Sequence, residues 1–174
     1  LDLFTWGLVP SWSKDPKMGS RMINARAETL AEKPSFRAAY KRRRCLILAD
    51  GFYEWVKKPG HKTKTPHYIQ LTSGQPFAFA GLWEYWQGDD GSEIKSCTII
   101  TTEPNSLIGK LHNRMPVILP PETYDLWLDP GEASREQLDP LLKAYPSEEM
   151  KHHPISTLVN SPANDVPEVI LPAH

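Results

Sequence analysis

Five side chains in this 174-residue sequence have types and spacings that suit proton transfer and anion capture: Asn24 with Arg26, Glu54 alone, and His112 with Arg114. Glu54 sits among aromatic neighbours in Gly-Phe-Tyr-Glu-Trp, residues 51–55. A carboxylate drawn out of water favours its neutral form, so its pKa rises toward the range where it can exchange protons near neutral pH. His112 carries the side chain whose ordinary pKa already lies there. The two pairs are each spaced by two residues, and on an extended backbone that spacing points both members the same way. An amide offers both a donor and an acceptor, and a guanidinium can grip a phosphate or carboxylate with two parallel bonds. Each group also has a plainer use: Glu54 on the wet face of a sheet whose core holds Tyr53 and Trp55, Asn24 in a turn, Arg26 beside a nearby acid, His112 as a structural ring.

These residues need elements to hold them. The apolar run 45–49, the turn signal Asp50-Gly51 and the aromatic run 52–56 predict a β-hairpin, with Phe52, Glu54 and Val56 on one face and Tyr53 and Trp55 on the other. Residues 1–12 read as a strand leading into a proline-turned loop; Trp12 is expected in the core, while Trp6 suits either the core or stacking on an unpaired base. A loop is expected over 14–21, then the segment 22–30 that carries Asn24 and Arg26, then a short helix over 36–41 capped by Ser35. Further strands are expected at 67–71, 77–86 and 94–101, separated by turns at 72–74 and 87–92. A helix over 103–110 capped by Thr102 precedes the segment 111–119 with His112 and Arg114. Helices are expected over 121–128 and after the capping box Ser134/Gln137, the latter kinked or shortened at Pro140. A short strand is expected at 156–159, His152-His153 as a surface pair, and residues 165–174 as a tail.

A hydrophobic fraction of 40% at this length supports one well-buried core and hence one domain over residues 1–174. No apolar run has the length of a membrane span, and no signal peptide opens the chain. Cys45 and Cys97 form neither a disulfide framework nor a metal-ligand spacing, which fits a reducing, intracellular compartment, and the sequence shows no need for a metal or organic cofactor. The net charge of −1 conceals an asymmetry: 14 Lys and Arg stand against 7 Asp and Glu through Gln87, and 6 against 14 beyond it. The run Lys41–Arg44, with Lys57, Lys58, Lys62 and Lys64, suits a phosphate-attracting surface, or else a solvated helix end and loop.

The segments WGLVPSW, NARAE, RRCLILADGFYEW and HNRMPVIL, with FAGLWE, TIITTEPN and VNSPANDVPE, run in order along essentially the whole chain. Together they closely resemble the SRAP family, the SOS-response-associated peptidases. The resemblance implies an α+β fold with a barrel-like, largely antiparallel sheet, short flanking helices and a groove for single-stranded DNA. It also implies a DNA-damage role: members react with abasic sites through a cysteine at position two, exposed when the protein removes its own initiator Met. The amine and thiol of that residue condense with the sugar aldehyde to give a thiazolidine crosslink.

Carried onto this sequence, the resemblance gives Glu54 self-cleavage and the proton transfers of the Schiff-base steps, His112 ring opening of the deoxyribose, and Asn24 the holding of the reacting terminus. Arg26 and Arg114 resemble phosphate clamps, and Trp6 and Trp55 base-stacking or wedge residues. Members begin Met-Cys-Gly well before the first motif, whereas this sequence opens with Leu1-Asp2 close to it. The expectation is therefore a fragment that binds DNA without forming the crosslink. Expected partners are single-stranded DNA with abasic sites and neither membrane nor metal; replication-fork proteins are not readable from the residues. A bacterial protein of this kind would be cytoplasmic, and nucleoid-associated when on DNA. Two alternatives stand beside this: a non-covalent reader of single-stranded or modified DNA, and a thiol hydrolase built on Cys45 or Cys97 with His112.

Overall fold

The computed structural model describes residues 1–57, 60, 63–131 and 133–173. Lys58 and Lys62 of the expected basic loop lie outside the described residues. In chain order the strands and α-helices are β1 (Thr5–Trp6), β2 (Asn24–Arg26), α1 (Arg37–Arg42), β3 (Arg44–Ala49), β4 (Phe52–Lys57), β5 (Lys64–Leu71), β6 (Phe77–Gln87) and β7 (Glu93–Thr102). β8 (Met115–Pro116), β9 (Ile118–Leu119), α2 (Tyr124–Leu128), α3 (Arg135–Leu138) and β10 (Met150–Pro154) follow. They fall into two compact units: Leu1–Leu48 with Ala78–Glu103 and Pro116–Ala144, and Ala49–Phe77 with Pro104–Met115 and Tyr145–His174. The fold is α+β, with mostly antiparallel sheets and short helices. Among the described residues neither of its two sheets closes on itself into a barrel.

The first unit is organised by the β6–β7 hairpin. Gly91, at a φ of 82°, lets the acidic connection turn back, and the two strands then register from Gln87 opposite Glu93 to Gly81 opposite Ile99. β3 lies on the free side of β6, and β1 and β2 run parallel to β7 along its other side. Leu8, Leu30, Leu82, Ile100, Leu119 and the fully buried Trp127 fill the core. α1 sinks Ala39 and Tyr40 into that core and turns Arg37, Lys41 and Arg42 outward. The helix begins at Arg37 with no side-chain cap, so Ser35 does not cap it. Residues Pro16–Arg21, expected as loop, form a 3-10 helix opened by Asp15, whose carboxylate accepts from Lys17 N.

The expected hairpin of residues 45–56 does not form. β3 belongs to the sheet of the first unit, where it neighbours β6, while β4 pairs antiparallel with β5 in a separate three-stranded sheet of order β10-β5-β4. The turn signal at Asp50-Gly51 is real, but it redirects the chain to a new partner. A Cβ on Gly51 would overlap the ring of Tyr68, whose hydroxyl donates to Asp50 Oδ1 at 3.3 Å.

Three further expectations change in the second unit. The helix placed over 103–110 is a 3-10 turn at Ile108–Lys110, and its cap is Asn105: Oδ1 accepts from the Leu107 and Ile108 amides at 3.1 and 2.9 Å. The C-terminal strand is β10, not 156–159, which is a 3-10 turn opened by Ser156. His152 and His153 sit on β10 half-buried, not as a surface pair. The last described residues are held down, with Ile155 bridging to Pro172 and the Ala173 amide donating to Pro154 O at 2.9 Å.

A candidate acid–base site on the three-stranded sheet

Pairing fixes which side chains share a face of the second unit's sheet. Glu54 stands directly opposite His67, and His67 opposite Pro154, so Glu54, His67 and, two residues before Pro154, His152 occupy the same face. His67 Nδ1 lies 3.0 Å from His152 Nδ1. One ring therefore donates and the other accepts. Burial and the neighbouring His153 hold the His152 pKa below its ordinary value. The opposite face is aromatic: Tyr53 and Tyr68 meet at 5.6 Å between ring centroids, Tyr53 and Trp55 at 6.3 Å, and Tyr68 and His153 at 5.9 Å.

His112 reaches Glu54 from the segment after the Ile108–Lys110 turn. Its amide donates to Ile108 O at 2.8 Å, which ties the residue to the turn capped by Asn105. Its Nδ1 lies 3.1 Å from both the amide nitrogen and the carbonyl oxygen of Arg114. A neutral ring can accept from the amide and a protonated one can donate to the carbonyl, so either state finds a partner. The same Nδ1 is 3.9 Å from Glu54 Oε1, with the carboxylate side chain 21% exposed and the imidazole 44%. Burial raises the Glu54 pKa above the ordinary glutamate range, against the opposing pulls of His112, the Trp55 amide and Lys64. A carboxyl group poised to exchange protons thus faces an imidazole that solvent can reach.

The remaining expected residues divide by unit and by face. Arg114 shares the turn with His112 and is half-buried. Trp55 shares the unit but points to the opposite face from Glu54, where its Nε1 donates to Asn160 Oδ1 at 2.8 Å. Asn24 and Arg26 belong to the first unit, on β2 opposite Ile99 and Thr101, with Ala25 buried between them. Both point outward on one side of the strand, as the extended reading requires. Trp6 is on β1 along the same edge of β7, 57% exposed, and its Nε1 donates to Ile23 O at 2.8 Å. Gly7 follows at a φ of 120°, where a Cβ would lie 2.5 Å from Gly19 O, so backbone contact pins this loop. Trp12, expected in the core, is 58% exposed. Trp6 and Trp12 turn outward, while Leu8 and Val9 supply buried side chains of this loop.

The basic run Lys41–Arg44 is not a uniform surface. Arg44 is buried and gives its guanidinium to the carbonyls of Tyr40, Lys41, Trp127, Asp129 and Gly131, and Arg43 pairs with the buried Glu84. The thiols are poorly suited to nucleophilic work: burial and the neighbouring Cys97 push Cys45 up to about 12, and burial raises Cys97 as well. Among the described residues no cluster of three or more His, Cys, Asp or Glu could hold a metal ion. No described helix is long and apolar enough to cross a membrane.

Sequence reasoning missed His67, His152 and Asn105. The Pro-Asn-Ser at 104–106 carried a readable turn signal for Asn105. The histidines had none, since their meeting depends on strand register.

The family model for SOS response associated peptidases matches residues 1–162. The chain belongs to the SRAP family. Its SRAP relatives include the abasic site processing protein YoqW of Bacillus subtilis (strain 168), 52% identical over 165 residues that cover 95% of this chain and 73% of the relative. The abasic site processing protein HMCES of Xenopus tropicalis is 36% identical over 186 residues, covering 94% of this chain and 54% of the relative. Among solved structures, a protein from Bacteroides thetaiotaomicron superimposes with a TM-score of 0.90 at 33% identity, over 98% of this chain and 76% of that one. The SRAP match spans segments of both units and includes all of the candidate site residues.

Proposed function

We propose that this chain processes abasic sites in DNA, as the names of its SRAP relatives state for those proteins. The observation that carries the chemical part of this reading is Glu54, half-buried and raised in pKa, 3.9 Å from His112. An abasic sugar exists mostly as a closed hemiacetal, and reaction requires the ring to open to the C1′ aldehyde. His112 gives a proton to the ring oxygen as the C1′–O4′ bond breaks, and the C1′ hydroxyl gives its own proton to water as the carbonyl forms. An attacking amine must be neutral, and Glu54 takes up the proton it sheds, then returns it as water leaves the carbinolamine. A thiol on the same residue then adds to the imine carbon and its proton goes to nitrogen, closing a thiazolidine.

The finer assignments are part of the proposal. An amino-terminal cysteine supplies the amine and thiol, since a thiazolidine needs both on one residue and burial leaves Cys45 and Cys97 as thiols. Asn24 orients that terminus, Arg26 and Arg114 hold the phosphates flanking the lesion, and Trp6 offers an exposed ring on which an unpaired base stacks. Trp55 is a weaker candidate, with its indole nitrogen already bound to Asn160. The substrate is single-stranded DNA.

The test is to incubate the protein as its gene encodes it with single-stranded DNA bearing one abasic site. A band that survives denaturing electrophoresis, and is lost in Glu54→Gln, is the expected result. A complex that dissolves in denaturant would replace the covalent reading with a non-covalent reader, and no complex of either kind would overturn the DNA reading altogether.

A further inference from the structure

The basic run resolves into an inner pair consumed by the fold and an outer pair that is not buried, and the outer pair has company. Arg37, Lys41 and Arg42 all project from the exposed side of α1, Arg37 and Lys41 four residues apart on one face and Arg42 a step further round the helix. With Arg43 they wall a hollow of about 520 Å³ in the first unit whose remaining lining is Ala31 and Ala38. Among the described residues no acidic side chain lines it. Arg43 is fixed at the wall by Glu84, whose other carboxylate oxygen accepts from the Ser11 amide at 3.2 Å, so that guanidinium is held in place. The two alanines keep the hollow open where longer side chains would fill it.

A groove lined by four basic side chains, of which Arg43 is already paired with Glu84, over a small-residue floor suits a polyanion that advances one charge every few ångströms. Helical neighbours four apart stand about 5–6 Å from each other, close to the separation of successive phosphates along a nucleic-acid strand. Guanidiniums are suited to grip phosphate oxygens in pairs, and a lysine adds a point charge. The excess of cations in residues 1–87 gives the field that would draw such a strand in. Nothing in this arrangement reads bases; its chemistry is that of the backbone.

We propose that the α1 groove is a second, sequence-independent binding surface for the sugar–phosphate backbone of DNA, separate in its residues from the acid–base site. The inference rests on the reading that the chain acts on DNA. It assigns to Arg37, Lys41 and Arg42 a role that the site residues do not cover.

The experiment measures binding of an undamaged, fluorescently labelled single strand across a salt series, using the full protein. Arg37→Ala/Lys41→Ala should weaken binding and flatten the slope of log K against log salt by about 1.4, at ~0.7 for each lost phosphate contact on a single strand. Ala38→Leu, which fills the floor without changing charge and keeps a good helix former, should weaken binding as well. Thermal melts of both variants should match the parent, since the substituted positions are exposed. An unchanged slope in the double variant, or an equal loss in the control Lys143→Ala/Lys151→Ala, would overturn the groove. A parent that binds the undamaged strand through this groove yet leaves an abasic strand unreacted would overturn the abasic-site reading and leave the groove standing.

Discussion

At the scale of single residues, Glu54 and Gly51 separate function from stability. A raised pKa means that the folded chain binds a proton at Glu54 more tightly than the unfolded chain does. Stability from this group is therefore fully present at low pH and declines as pH rises from the ordinary glutamate range through the raised value. Glu54→Gln removes that slope, so its melting temperature near neutrality should equal or exceed the parent's, while activity falls about 10²–10⁴-fold. Thermal melts between about pH 4 and 8 check the first part. A variant that melts well below the parent at neutral pH would make Glu54 a structural anchor. The parent's reaction rate should fall as pH drops through the raised Glu54 value, because the base is lost there. Gly51→Ala acts on the fold alone: its Cβ meets the Tyr68 ring, and the expected loss is about 1–3 kcal/mol by urea denaturation.

At the scale of elements, the turn that carries His112 and the helix that carries the basic run show how local chemistry is anchored. Asn105 caps the Ile108–Lys110 turn, and its Nδ2 donates to Tyr145 O at 2.7 Å. Asn105→Ala should cost about 1–2 kcal/mol and speed amide exchange at Leu107 and Ile108, a change that hydrogen-exchange measurements read residue by residue. The two ends of the basic run should respond unequally. Arg44→Met leaves several carbonyls without their donor and should cost about 3 kcal/mol or more, whereas Lys41→Ala on the exposed side should stay within about 0.5 kcal/mol. Comparable urea midpoints for the two variants would contradict that division. The hairpin of β6 and β7 and the capping box of Ser134 and Gln137 were legible because each is closed by residues near in sequence. β10 was not: Met-Lys-His-His-Pro lacks β-branched residues, and β5 imposes the extended form by pairing with it.

At the scale of the whole molecule, the core of the first unit is built around its largest fully buried side chain. Trp127 is fully buried, bonds Cys45 O at 2.9 Å and packs its ring 6.3 Å from that of Tyr40. Trp127→Ala should cost about 3–5 kcal/mol, a large share of a typical total stability of about 5–15 kcal/mol, and calorimetry should show a much lower melting temperature. The sequence by itself determined the family, the α+β class, the extended backbone beneath Asn24 and Arg26, and the identity of the groups able to move protons. Those are properties of residue type and short spacing. Only the tertiary structure decided that β3 and β4 part company, that Glu54 meets His112 on one face while Trp55 turns to the other, and that half of a basic run is consumed inside the fold, Arg44 on carbonyls and Arg43 on Glu84. Such outcomes depend on which distant segment offers a partner, and a turn or a charge written into the chain states that a partner is needed without naming it.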